Sequence, residues 1–497
     1  MAQEIELKLA FPPAARAAIR QHPLLAGAER VGRAQTLINT YYDTPDMALS
    51  AQRVALRTRK AGRLWLQTVK CAAESVGGLS SRPEWEQAFH GHFDFSAVDA
   101  EQPRHLLEKH AAQIVPLFTT NFRRETLSLS PRDGVRILIM IDTGEIVANG
   151  RSEPISELEL ELETGSADDL LALACELAAS LPLLPYDPSK AARGYRLFRN
   201  EALCPVRASA PVLDPHTPAL QAFHGLAWQT LACWTANLHG VLHTDDPEFI
   251  HQLRLALRRL RSLIRIFAPV LPADFVRDWP PVLARQAAEL ACVRDLTVLR
   301  DELLGSAREG DSDQRLPALL ARTEAEAAAA RVGIMVHLAA PGSGLPLLNL
   351  SRALRNLPQV ANPPTLPELI RQTRQTLLKQ TRQRFRHARE TRTPDALHAL
   401  RIAIKRLRHV EETFAALVPG KAHQRTRSAL GKVLTDLGRL NDLAIALPRL
   451  NAWAAEDRSL AEAVAFFSGW HAATSLKLRR RILPRCVRLL DKKVWRL

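Results

Sequence analysis

The sequence predicts an α+β multidomain protein: an N-terminal antiparallel β tunnel with a charged bore, followed by a C-terminal all-α bundle built from a duplicated helical unit. Three observations carry this. Residues 1–200 hold a succession of short runs in which charged and apolar side chains alternate, the period of a strand. Pro205, Pro211, Pro215 and Pro218 then punctuate residues 201–218, a segment without periodicity that reads as a spacer. From residue 219 to 497 Ala, Leu and Arg dominate at helical spacing, and one pattern recurs. A chain of 497 residues is too long for a single core at roughly 150 residues per domain.

Composition narrows the function classes. The 67 Lys and Arg against 52 Asp and Glu give a formal charge of +15, which favours polyanionic partners. Aromatic residues make up only 5 % of the chain, which argues against nucleic acid, because single strands are held by stacking bases on aromatic rings. The six cysteines are scattered, with neither zinc spacing nor a secreted framework, and reduced thiols point to a cytoplasmic protein. Charges at Glu4, Glu6 and Lys8 break the apolar core that a signal peptide needs, and no apolar run approaches the ~20 residues of a membrane span. No membrane partner is therefore expected.

The first strand contains Glu4, Ile5, Glu6, Leu7 and Lys8, with Glu4, Glu6 and Lys8 on one face and Ile5, Leu7 and Leu9 on the other. Residues 12–22 read as a helix with Pro12 and Pro13 at its start. Residues 36–42 form a strand leading into the turn Asp43-Thr44-Pro45-Asp46. Residues 54–59 put Arg57 and Arg59 on a common face, and residues 64–70, ending at Lys70, follow across a hairpin at Gly62. Arg82, Glu84 and Glu86 repeat the pattern of like-facing charges, and residues 121–130 carry Arg124. Residues 135–141 form a strand ending at Asp142, with Gly144 turning the chain. Glu157, Glu159, Glu161 and Glu163 then alternate with Leu158, Leu160 and Leu162.

On any one strand a charged face ordinarily meets solvent. Here both signs recur on separate strands, and a barrel with a charged bore accommodates all of them together. Such a bore can hold a hard divalent cation on carboxylate oxygens and an anion of several phosphates on Lys and Arg. Phosphoryl transfer asks for positioning and charge neutralisation more than covalent help, with a divalent cation able to activate water.

Several motifs together resemble the CYTH family, the triphosphate tunnel metalloenzymes, over residues 1–200. They are Glu4-Glu6-Lys8, Tyr41-Tyr42-Asp43-Thr44-Pro45, Arg57 with Arg59, Lys70, Arg82-Pro83-Glu84, Arg124, Asp142, the Glu157 to Glu161 alternation, and Ser189-Lys190-Ala191-Ala192-Arg193-Gly194-Tyr195. The resemblance implies an eight-stranded antiparallel tunnel that acts on triphosphates with Mg²⁺ or Mn²⁺. It implies that Glu4, Glu6, Asp142, Glu157, Glu159 and Glu161 hold metal. Lys8, Arg57, Arg59, Lys70, Arg124 and Lys190 would bind the triphosphate, with Arg82, Glu84, Glu86 and Arg193 in less defined roles. Members of the family differ in substrate, among them inorganic triphosphate, thiamine triphosphate, ATP and RNA 5′-triphosphate.

In the helical half, the run from His251 through Arg254, Arg258 and Arg261 to Phe267 returns as His398, Arg401, Lys405 and Arg408 to Phe414. Asp295 returns as Asp442 at the same offset of 147 residues, the distance from 251 to 398. On helices, His251, Arg254, Arg258 and Arg261 share one face, as do His398, Arg401, Lys405 and Arg408, while Leu253, Leu257, Leu260 and Ile264 line the other. A basic helical stripe is ordinarily a solvated face. Duplication lets two related stripes build one groove for an anion, with Asp295 and Asp442 orienting the basic side chains or capping helices, and Glu411 and Glu412 ending it. Metal ligation by the histidines is disfavoured by their Arg and Lys neighbours. The two copies resemble the CHAD domain, a conserved-histidine α-helical domain, over residues 219–497, which implies binding of inorganic polyphosphate.

The whole reads as a cytoplasmic, metal-dependent inorganic triphosphatase that converts triphosphate and water to pyrophosphate and orthophosphate, with an appended helical domain that binds polyphosphate. The residues also admit a tunnel that cyclises ATP, or an inactive tunnel that delivers the helical domain to polyphosphate or nucleic acid.

Overall fold

Eight long strands alternate charged and apolar residues, and they close on themselves. In the computed structural model, which describes residues 2–71, 75–209, 213–491 and 495, these are β1 (Ala2–Ala10), β2 (Gln35–Asp43), β3 (Val54–Ala61), β4 (Leu64–Cys71), β5 (Leu79–Ala88), β6 (Val115–Leu129), β7 (Arg136–Ala148) and β8 (Arg151–Thr164). Every pairing is antiparallel, in the order β1-β8-β7-β6-β2-β3-β4-β5, and β5 pairs back onto β1. Closure leaves no edge and separates the two faces of each strand completely.

Register brings the charges together. Glu6 lies opposite Glu161 and Lys8 opposite Glu159 across β1 and β8, while Glu4 lies opposite Arg82 across β1 and β5. Lys70 faces Glu84, and Arg124 faces Asp142. The apolar sides point outward. Leu7, Leu9, Ile137, Ile139, Ile141, Leu158 and Leu160 are buried under helix α1 (Ala167–Ser180), through Leu170, Leu171, Ala174 and Leu177. Ser166 and Asp169 form a capping box that fixes the start of α1. The barrel is thus inverted relative to a sandwich, with its apolar core outside the wall and its ions inside.

Of three local expectations, two change. Residues 12–22 are a 3₁₀ turn, Pro13–Ala15, and a short helix, Arg16–Arg20, because Pro23 starts a second 3₁₀ turn and stops propagation. The hairpin at Gly62 forms as read, with Ala61 opposite Leu64 and Gly62 at φ 63°. Gly144, however, turns nothing. It sits inside β7 opposite Phe122, and a Cβ there would stand 2.2 Å from the Asn121 carbonyl oxygen, so glycine allows close approach of strands while the turn itself falls at Asn149 and Gly150.

Contacts divide the chain into two compact units: Met1–Val206, Trp234–Thr244 and Met335–Asn356 form one, and Arg207–Cys233, Asp245–Ile334 and Leu357–Leu497 the other. The first unit is therefore discontinuous in sequence. It takes in the end of helix α3 (Ala219–His243) and the helix Leu345–Arg355, whose Leu348 joins the apolar layer outside the barrel and whose Arg352 pairs with Asp168 at 2.9 Å.

Every regular element among the described residues of the second unit is a helix. Helices α4 (Pro247–Ile266), α5 (Leu366–Thr391) and α6 (Pro394–Thr413) lead among its elements, and α4 and α6 carry the two copies of the repeat. Residues that the repeat makes equivalent touch each other. Ser262 bonds His409 at 2.8 Å, and the Phe267 and Phe414 rings lie 5.7 Å apart. Arg315 pairs with Glu462 at 2.9 Å, again across 147 positions. Equivalent residues can meet only near a local two-fold axis, so the duplication read in the sequence is a duplication in space. No helix of the described residues is long and apolar enough to cross a membrane.

Candidate active site

The bore is a cavity of about 750 Å³. Glu4, Glu6, Glu159 and Glu161 line it, as do all six expected phosphate ligands, Lys8, Arg57, Arg59, Lys70, Arg124 and Lys190. Asp142 and Glu157, also expected to hold metal, are fully buried behind the lining, where they hold cations.

Those cations converge from one helix. Ser189 caps α2 (Lys190–Phe198) by accepting from the Ala192 amide at 3.0 Å, which directs Lys190 and Arg193 toward the wall of β8. The Lys190 ammonium meets Asp142 at 2.9 Å, Glu157 at 2.7 Å and Glu159 at 2.8 Å. Burial opposes its charge, but these three carboxylates outweigh it and raise the Lys190 pKa. Arg193 takes the other oxygen of Glu157 at 2.6 Å and bonds Glu153 at 2.6 Å. Arg124 bridges Asp142 at 2.6 Å and Glu159 at 2.5 Å, and its pKa is likewise lifted against burial. Against the same desolvation, Lys190, Arg124 and Lys8 hold Glu159 well below the carboxylate range.

Toward β5 the pairing is looser. Glu4 bonds Lys70 at 2.9 Å and Arg82 at 3.0 Å, while Glu6 bonds Arg82 at 2.7 Å and lies 3.9 Å from Lys8. Lys70 also pairs with Glu84 at 2.8 Å. Arg57 reaches Glu84 only at 3.7 Å, and Arg59 reaches Glu86 only at 3.6 Å, while Arg59 Nε donates to Asn39 at 2.9 Å. Burial, with Arg57 and Arg124 beside it, pushes Arg59 down to about 10. It is a buried cation with too little counter-charge. Glu161 is its counterpart: burial and the nearby Glu4, Glu84 and Glu6 push its carboxyl up to about 7.

A hard divalent cation suits this donor set in kind, since its ligands are carboxylate oxygens and the burial and carboxylate crowding that raise Glu161 are what a cation relieves. With the side chains as they stand, the bases of the wall hold Glu4, Glu6 and Glu159, and among the described residues no three acidic, His or Cys side chains converge as a metal cluster.

Two contributors were missed by sequence reasoning. Asp43, expected as a turn residue within the Tyr41 to Pro45 motif and given no role in the site, is fully buried and accepts from the amides of Thr44, Leu49 and Ser50 and from the Tyr195 hydroxyl at 3.0 Å, tying α2 to the end of β2. Asp187 lines the cavity one turn before Lys190. Its only signal was its place just upstream of Ser189-Lys190.

In the helical unit the two stripes lie close. Burial and then Arg254, Arg401 and Arg261 push Arg258 down to about 10, so a cation of the second copy acts on one of the first. Asp295 lies near Arg254 and Asp442 near Arg401, the same arrangement in both copies. Arg254 Nη1 and Arg261 Nε are buried without a hydrogen-bond partner among the described residues. His398 accepts or donates to Asn441 at 2.9 Å; His251 is half-buried, Lys405 half-buried, and Arg408 bonds Glu412 at 2.6 Å. Glu411 leaves the stripe altogether and is buried against Arg374 at 2.7 Å.

His409, beside this stripe, gives a pH prediction. Burial, then Arg258 and Arg408, pushes it down to about 4. The unfolded chain therefore takes the proton first, so its contribution is fully present above about pH 6.5 and is lost as pH falls toward 4. Denaturant titrations from pH 7.5 to 4.5 should show a loss of up to about 3 kcal/mol that His409→Gln removes.

The comparisons with known proteins agree with the two halves. A Haemophilus influenzae protein described as an inorganic triphosphatase is 32% identical over 212 residues, 41% of this chain, and the chain spans 57% of the length of that curated relative. The crystal structure of the CHAD domain from the plant Ricinus communis is 27% identical, with a TM-score of 0.50, covering 58% of this chain and 97% of that one. Residues 2–195 match the CYTH domain and residues 225–451 the CHAD domain. The chain carries a CYTH domain followed by a CHAD domain.

Proposed function

We propose that the tunnel hydrolyses inorganic triphosphate to pyrophosphate and orthophosphate with Mg²⁺ or Mn²⁺, and that the paired helical stripes bind inorganic polyphosphate. One observation carries the first reading: a single bore of about 750 Å³ lined both by the carboxylates Glu4, Glu6, Glu159 and Glu161 and by the cations Lys8, Arg57, Arg59, Lys70, Arg124 and Lys190. The Haemophilus influenzae relative's description as an inorganic triphosphatase supports it.

Glu4, Glu6, Glu159 and Glu161 are the ligands in this reading, while Asp142 and Glu157 fix Lys190 and Arg193. A divalent cation bound there supplies Lewis-acid neutralisation of the phosphate oxygens. Lys8, Arg57, Arg59, Lys70, Arg124 and Lys190 orient the phosphate chain and take up the charge that gathers on the leaving pyrophosphate as water oxygen bonds to the terminal phosphorus. Binding of anion releases carboxylates from the wall's bases, which is how a bore full of ion pairs becomes a site.

Assay of the full chain on triphosphate beside ATP, with each cation, tests this. Orthophosphate from triphosphate is expected, with a loss of about 10²-fold in Glu4→Ala and in Glu6→Ala; cyclic AMP from ATP would move the reading to a cyclase. For the stripes, polyphosphate should outcompete RNA at fixed salt, and Arg258→Ala with Arg401→Ala should abolish that preference.

A further inference from the structure

Asp187 lines the same cavity, half-buried beside the ion pairs of the bore, where its charge attracts that of Lys8. Its Oδ1 accepts from the Ser75 hydroxyl at 2.7 Å and from the Gly78 amide at 2.8 Å, and Thr235 of α3 adds a side-chain hydrogen bond. Thr235 is itself buried and belongs to the same compact unit as the tunnel, although it lies within the sequence matched to the CHAD domain. Neighbouring contacts secure this end of α3. Asn237 accepts from the Val206 amide at 3.0 Å and donates to its carbonyl at 2.8 Å, and the Tyr186 ring packs edge-on against His239 at 4.9 Å.

What Asp187 holds bears on one phosphate ligand. The Gly78 carbonyl accepts from the Lys8 amide at 2.8 Å, and the Lys8 carbonyl accepts from the Tyr186 amide at 2.9 Å. A Cβ on Gly78, which stands at φ 85°, would come within 2.4 Å of the Lys8 carbonyl oxygen. The Lys8 ammonium donates to the Pro188 carbonyl at 3.3 Å. Lys8 is therefore gripped on its backbone from both sides and at its tip from a third, and residues 186–188 and Gly78 are locked together through the Asp187 carboxylate. Burial raises the Asp187 pKa while Gly78, Ser75, Thr235 and the nearby Lys8 charge oppose that shift, in keeping with an acceptor satisfied at the cavity wall.

We propose that Asp187 is a positioning residue that sets the place of Lys8 in the triphosphate site, and that Thr235, from the CHAD-matched sequence, completes it. The proposal rests on triphosphate binding in the tunnel but not on its hydrolysis. It predicts that the tunnel is finished by a residue more than thirty positions beyond the last residue matched to the CYTH domain.

Triphosphate binding by the full chain, followed by calorimetry with orthophosphate release measured alongside, tests it. Asp187→Ala should weaken affinity about tenfold and Thr235→Val about threefold, with circular dichroism unchanged. Asp187→Asn, whose Oδ1 can still accept from Ser75 and Gly78, should restore most of that affinity. In a Lys8→Ala background Asp187→Ala should cost little more, because it acts through Lys8. The same tenfold loss in that background overturns the proposal, as does a Thr235→Val protein with wild-type affinity. Should Asp187→Ala fail to fold, the Thr235→Val cycle against Lys8→Ala decides by the same criterion. A wild-type chain that binds triphosphate without releasing phosphate would overturn the hydrolase reading and leave this test intact; one that does not bind overturns both.

Discussion

Lys190→Ala is expected to destabilise the barrel by about 3–5 kcal/mol, the cost of breaking a buried ion pair from one side. The lysine is the shared partner of Asp142, Glu157 and Glu159, all buried. Arg124 and Arg193 already spend their donors on the same carboxylates. Urea titration at pH 7 measures the loss, and it should shrink as pH falls and the stranded carboxylates take up protons. Wild-type stability in the variant would mean that the triad of acids is not held by this lysine.

Arg59→Ala should behave in the opposite way. Its guanidinium is buried with a long contact to Glu86 and two arginines nearby, so the repulsion relieved by removal offsets the lost hydrogen bond to Asn39 and stability should stay within about 1 kcal/mol of wild type. Triphosphate turnover, by contrast, should fall about 10²-fold in kcat/KM, because that surplus charge is what the anion meets. Denaturant melts and steady-state kinetics on one preparation give both numbers. A variant that loses stability and keeps activity would make Arg59 a structural cation. The two substitutions thus separate a cation already matched by the wall's carboxylates from one whose charge is left over for the anion, a difference that residue type alone does not reveal.

That difference also marks the limit of reading the sequence. Alternation at Glu4, Glu6 and Lys8, at Arg57 and Arg59 and at Glu157 to Glu161 made the strands and their inward faces legible, because a period of two leaves a charged residue no choice of side once its neighbours are apolar. The repeat was legible for a similar reason: an offset of 147 that recurs at His251 and Asp295 recurs as contact at Ser262 and Phe267. Partners across the ring were not legible. Nothing near Asp142 or Glu157 in the chain says that one lysine from α2 would neutralise both while Glu161 stays unpaired. Gly144 was misread because glycine serves both turns and close strand approach, and only the neighbouring strand distinguishes them. Nor does helical periodicity around Thr235 indicate that the end of α3 packs with the tunnel, since that depends on where Asp187 lies in space.

The central claim is that the bore hydrolyses inorganic triphosphate with a divalent cation, and orthophosphate release from triphosphate by the full chain, with and without Mg²⁺, tests it most directly. Release that requires Mg²⁺, that stops at one orthophosphate and one pyrophosphate per triphosphate, and that collapses in Glu6→Ala is the predicted result. Release unaffected by chelation and by Glu6→Ala, or none from the folded wild-type chain, would contradict it.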